Sequence, residues 1–186
     1  MIRAFIAVEI AASTIANISA AITQLKPRIP GVRWIIPGNF HLTLKFLGEI
    51  DESKINPIGE ALTNAFQPFP PCTINAKGLG VFPNLTRPRV LWIGLFSSEL
   101  IALAAQVETA LAALGFAAEK RGFAPHLTVG RWRQGARSEP TLAAELDRWR
   151  EFDFGTSAIN EIILFQSVLK PQGAIYTRIK VVPLVI

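Results

Sequence analysis

His41-Leu42-Thr43-Leu44 and His126-Leu127-Thr128-Val129 decide how this 186-residue chain is read, because they hold its only two histidines. From average residue usage, both histidines falling by accident into His-Leu-Thr-aliphatic has a chance on the order of one in a million. β-branched and apolar residues give each phrase strand character, and side chains alternate between the two faces of a strand. His41 therefore shares a face with Thr43, and His126 with Thr128. In each phrase the imidazole and hydroxyl stand about 6.5 to 7 Å apart along the strand. That span accommodates a phosphate, which the imidazole can serve by giving or taking a proton and the hydroxyl by donating a hydrogen bond.

Outward from these phrases the pattern alternates strands with helices. Arg3 to Val8 reads as a strand, and Ile15, Ile18, Ile22 and Leu25 form the stripe of an amphipathic helix. Val32 to Ile36 is a short strand, Pro37-Gly38-Asn39 a turn, and Phe40 to Leu47 the first motif strand. A helix follows with Ile55, Ile58 and Leu62 inward, capped by Asp51 or Ser53 and closed by Pro68 to Pro71. Thr73 to Val81 and Arg89 to Leu95 are strands joined by a loop holding Arg87. Ser97 or Ser98 is placed to cap a helix over Glu99 to Leu114, with Gly115 at its end. His126 to Trp132 is the second motif strand. Arg133 to Pro140 is a polar loop and Thr141 to Trp149 a helix. Phe152 to Ile159, Glu161 to Leu169 and Ala174 to Val182 are strands, the last preceded by a turn at Gly173.

Each motif thus has a polar approach, a strand, a polar loop and then a helix. The period of 85 residues is too long for a solenoid and predicts two similar lobes related by a pseudo-twofold axis, with the motif strands facing across a groove.

Composition bounds the alternatives. Half the residues are apolar, enough for a substantial core in one domain or two intimately packed lobes over residues 1–186. A net charge of +5 favours an anionic partner. Cys72 is the only cysteine, which fits a reducing cytosol, so a cytoplasmic location is expected. Glu9 interrupts the first apolar run after Ala4 to Val8, so the opening reads as a strand and not as a secretory signal, and no run is long enough to span a membrane. Two histidines and one cysteine, with no carboxylates at ligand spacing near the motifs, argue for metal-free acid–base chemistry without a cofactor.

Phe40-His41-Leu42-Thr43-Leu44-Lys45-Phe46-Leu47-Gly48 and Pro125-His126-Leu127-Thr128-Val129-Gly130-Arg131 resemble the paired H-x-T motifs of the two-histidine (2H) phosphoesterases. More narrowly, the chain resembles the LigT-like RNA 2′,3′-cyclic phosphodiesterases, also through Phe5-Ile6-Ala7-Val8, Arg33-Trp34, Arg87-Pro88-Arg89-Val90-Leu91-Trp92 and Gly173-Ala174-Ile175-Tyr176. The resemblance implies a bilobal α+β fold of two antiparallel sheets backed by helices around a groove. It also implies hydrolysis of RNA or nucleotide 2′,3′-cyclic phosphates to 2′-phosphates, by a monomer. It assigns His126 as the base that activates water and His41 as the acid that protonates the 3′ oxygen, whereas the two phrases themselves are symmetric on this point. Cleavage or reversible ligation of 2′-5′ linkages in tRNA halves, and nucleotide or RNA binding without turnover, are the alternative readings.

The remaining candidates are substrate ligands. Thr43 and Thr128 would hold nonbridging oxygens. Arg131 stands five residues after His126 and Phe46 five after His41; an arginine can pair with phosphate and a phenylalanine can stack on a base. Strict alternation puts both on the face opposite their histidine, so each needs a bulge or a strand end to reach the groove. Lys45, by the same alternation, lies on the histidine face and can attract a polyanion. Trp34, Trp92, Trp132 and Trp149 read as core or half-buried packing, Tyr176 as either groove or core, and Arg87 and Arg89 as solvated charges.

Overall fold

The computed structural model describes residues 1–137, 140–171 and 173–185. Nine strands and four α-helices run in the order β1 (Ile2–Glu9), α1 (Ala12–Leu25), β2 (Arg33–Trp34), β3 (His41–Ile50), α2 (Ile55–Ala65), β4 (Cys72–Phe82), β5 (Val90–Phe96), α3 (Leu100–Ala112), β6 (His126–Arg131), α4 (Pro140–Arg148), β7 (Asp153–Ile159), β8 (Glu161–Lys170) and β9 (Gly173–Pro183) among the described residues. The first sheet has the order β3-β1-β8-β9 and the second β2-β6-β5-β4-β7, with every pairing antiparallel.

Set side by side, β3-β1-β8-β9 and β6-β5-β4-β7 have the same logic, which is the α+β arrangement of two pseudo-symmetric lobes that the duplicated motif predicts. Each motif strand lies beside the strand that opens its half and reaches it through a helix, α1 or α3. The lobes share one core. Ile6, Val8, Leu42 and Leu44 of the first sheet belong to the same apolar cluster as Leu91, Ile93, Leu127 and Val129 of the second and as Ile18, Ile58, Leu62, Leu103 and Val107 of the helices. On the other face of β1 and β8, Phe5, Ala7, Ile163 and Phe165 form a separate small cluster against Tyr176. The lobes are also cross-tied: α1 leaves the first sheet and docks on β7, the edge of the second. There Thr14 Oγ1 donates to the Thr156 carbonyl at 2.8 Å and Asn17 Nδ2 to the Phe154 carbonyl at 3.0 Å. Satisfying edge carbonyls in this way blunts a strand that could otherwise recruit another chain.

Several local expectations shift. The strand expected over Val32 to Ile36 shrinks to Arg33–Trp34, and Pro37–Asn39 forms a 3-10 turn. Asp51 caps a 3-10 turn that precedes α2, accepting from the Ser53 amide at 2.9 Å. Ser97 and Ser98 do not cap α3; their hydroxyls bond the Glu99 carboxylate. Gly115 ends the segment after α3 at φ +81, a conformation open to glycine at no steric cost. The loop expected over 133–140 includes residues 138 and 139, which lie outside the described residues.

One feature of both motif strands positions the site. Opposite β1, Ala7 pairs with Thr43 but Ile6 with Lys45, so Leu44 is an extra residue; opposite β5, Trp92 pairs with Thr128 but Leu91 with Gly130, so Val129 is extra. Both bulges fall three residues after the histidine. An extra residue reverses the alternation beyond it, and both extra residues are buried aliphatics of the common core.

Candidate active site

Each imidazole is fixed by the strand entrance that precedes it. His41 Nδ1 donates to the Asn39 carbonyl at 2.8 Å, and His126 Nδ1 to the Ala124 carbonyl at 2.7 Å. A carbonyl has no proton to give, so each Nδ1 carries the hydrogen and each Nε2 is left for chemistry. His41 Nε2 stands 3.0 Å from Thr43 Oγ1, so imidazole and hydroxyl lean together where a straight strand keeps their backbones far apart. Aromatic rings complete the support. Tyr176 meets His41 edge-on at 5.1 Å and Phe5 lies 4.9 Å from it, while Phe82 meets His126 edge-on at 5.1 Å.

The motif strands β3 and β6 approach each other closely enough for the charges of His126 and Arg131 to act on His41. Burial, chiefly, lowers the His41 pKa from the ordinary 6.5; the Asn39 carbonyl raises it, and the positive charges of Arg131 and His126 lower it further. Burial raises the Tyr176 hydroxyl, against the charges of Arg131 and Arg3. The ring contacts put Tyr176 beside His41 and against the Phe5 and Phe165 cluster.

The bulges deliver the two residues that strict alternation puts on the wrong face. Beyond Leu44, Phe46 pairs with Phe5 and rejoins the His41 face, 57% exposed and 6.0 Å from the Phe5 ring. Beyond Val129, Arg131 pairs with Val90 and rejoins the His126 face, exposed.

The same bulge corrects the reading of Lys45. It pairs with Ile6 on the core face and is only 3% exposed, so it does not line the groove or meet a polyanion there. Its Nζ donates to Glu108 of α3 at 2.6 Å and to the Ala117 carbonyl at 2.8 Å. Lys45 thus braces the first motif strand against the loop that leads to the second.

Trp132 and Trp149 are core residues, and Trp34 packs against that core. Trp92 instead shares the Thr128 face, half-buried, its indole 5.1 Å from Phe82 and flat over Gly80, where a Cβ would come within 2.2 Å of the ring. Arg87 and Arg89 are exposed on the β4–β5 connection. Phe5, Phe82 and the Asn39 and Ala124 carbonyls escape sequence reading, because a backbone acceptor has no side-chain signature and the two phenylalanines look like strand formers. A hollow of about 300 Å³ between α1 and Trp149, Phe152 and Asp153 contains none of the motif residues.

Comparison with known proteins agrees with this geometry. The family model described as LigT like Phosphoesterase matches residues 8–92 and 94–176, one motif in each segment. A protein of Archaeoglobus fulgidus named RNA 2′,3′-cyclic phosphodiesterase is 38% identical over 181 residues, covering 96% of this chain and 98% of its own length. One of Methanocaldococcus jannaschii with the same name is 34% identical over 178 residues, covering 96% and 98%. Among solved structures, one from Thermus thermophilus superposes with a TM-score of 0.80 at 27% identity, covering 98% of this chain and 97% of that one. E. coli LigT complexed with 3′-AMP superposes with a TM-score of 0.79 at 25% identity, covering 98% of each chain. With its two H-x-T strands, its paired sheets and a family match along most of its length, the chain belongs to the LigT-like phosphoesterases.

Proposed function

We propose that the chain hydrolyses the 2′,3′-cyclic phosphate of RNA or nucleotide ends to a 2′-phosphate, with the two imidazoles moving the protons. The observation that carries this is the matched tether: both Nδ1–H groups are held by a carbonyl two residues upstream, so two Nε2 atoms are presented from facing strands. The names of the relatives from A. fulgidus and M. jannaschii, and the 3′-AMP bound to the E. coli structure, support the substrate class.

In this reading His126 Nε2 takes a proton from water, whose oxygen attacks phosphorus. The bond from phosphorus to the 3′ oxygen breaks, and His41 Nε2–H protonates that oxygen, leaving the phosphate on the 2′ oxygen. Thr43 and Thr128 donate to the nonbridging oxygens, and Arg131 offsets the charge that builds on them. Phe46 offers a face to the terminal base. The chain works as one bilobal unit over residues 1–186, as a monomer. Its lone buried Cys72 suits a reducing cytoplasm. No helix among the described residues is long and apolar enough to cross a membrane.

The test is a product-resolved assay on a short RNA ending in 2′,3′-cyclic phosphate, run beside a 2′-5′-linked dinucleotide. Release of 2′-phosphate ends from the first is the expected result. Cleavage of the second alone moves the activity to 2′-5′ linkages, and tight binding of both without product makes the groove a binding module.

A further inference from the structure

β2 sets Arg33 directly opposite Arg131 of β6. Like charges placed opposite one another across an antiparallel pair destabilise it, and neither arginine has an acidic partner among the described residues. Both are exposed. Their common face is fixed twice over. The bulge at Val129 puts Arg131 on the His126 and Thr128 face, and Val32 and Trp34 on either side of Arg33 both pack against the core, which turns Arg33 outward to that same groove face. A two-residue edge strand that keeps an uncompensated arginine there has its repulsion relieved when an anion bridges the pair.

We propose that Arg33, beside Arg131, holds the phosphodiester adjoining the terminal nucleotide, so the groove has a second phosphate subsite that reads an RNA chain and not a lone cyclic nucleotide. The inference rests on the reading of the groove as a cyclic-phosphate site. Arg131 is the nearer of the two to the reacting centre, since its charge is felt at His41 and Tyr176. Arg33 stands one strand further out, about 4.8 Å beyond β6, on the edge of the second sheet. A guanidinium there has planar, charge-assisted donors for a phosphodiester leaving the site along that edge.

The experiment compares cytidine 2′,3′-cyclic phosphate with a trinucleotide ending in the same cyclic cytidine, on the wild-type chain and on Arg33→Met. On the trinucleotide the variant is expected to lose at least about tenfold in kcat/KM, mostly through KM. Its log–log salt dependence should flatten by about 0.7, one phosphate contact on a single strand. Turnover of the mononucleotide should stay within about twofold, and Tm should hold or rise as the like-charge pair is relieved. Equal losses on both substrates place Arg33 at the reacting phosphate and overturn the subsite, as does an unchanged trinucleotide rate. If the wild-type chain turns over neither substrate, the cyclic-phosphate reading itself fails and takes the subsite with it.

Discussion

The two histidines are alike in sequence and unlike in surroundings. His41 is enclosed by Phe5 and Tyr176 and sees the charges of Arg131 and His126, so its pKa falls below 6.5. kcat/KM reports groups of the free enzyme, and an acid acts only while protonated. In His126→Ala, where only His41 is left to titrate, His41 acting as the acid predicts a residual kcat/KM that falls as pH rises through the value His41 holds below 6.5. His41 acting as the base predicts the opposite, a residual rate in that variant that rises through the same value, so the pH profile of His126→Ala decides the assignment, whereas the two apparent values of the wild type belong to the coupled pair. His41→Ala and His126→Ala should each lower kcat by about 10² to 10⁴. A nitrophenyl phosphodiester, whose leaving group needs little protonation, should rescue the acid variant alone. Rescue of His126→Ala instead reverses the two roles.

At the scale of the element, the bulges separate what the sequence makes legible from what it does not. The strands and helices are legible because Phe5-Ile6-Ala7-Val8 is a short unbroken apolar run of strand length and a 3.6 period survives in Ile18, Ile22 and Leu25. The need for a bulge or a strand end is legible too, since strict alternation keeps Phe46 and Arg131 off the groove face. Its place is not, because an extra residue is defined only against a partner strand. Hence strict alternation puts Lys45, one residue past the bulge, on the wrong face. Lys45→Met should leave the Ala117 carbonyl and the Glu108 carboxylate without their donor and cost about 2 kcal/mol in denaturant unfolding. Lys45→Met with Glu108→Leu, which removes both charges, should recover most of that loss. A Lys45→Met chain as stable as the wild type would show that the brace carries no weight.

Across the whole molecule, the duplicated order of strands is foreshadowed by a motif repeated at 85 residues, whereas the exchange of α1 onto the opposite lobe is not, because docking of a helix on a distant edge depends on contacts such as Asn17 with Phe154. The symmetry also bears on metal. If the two lobes supply both proton transfers, chelation with EDTA should leave the hydrolysis rate within about a factor of two. Loss of activity that zinc or manganese restores would sink the two-imidazole mechanism. The paired Nδ1 tethers have one more effect. The partner of each Nδ1 is a backbone carbonyl, which does not take up a proton, so a proton gained at Nε2 cannot be passed inward through that bond. In the proposed two-imidazole mechanism every hydrolysis therefore ends with the two rings having traded places, the former base charged and the former acid neutral. That end state is set up to run the reaction backwards, and the resting form returns only by exchange with solvent. The enzyme keeps a one-cycle memory of its last turnover, and at high flux its speed should follow the concentration of buffer able to erase it.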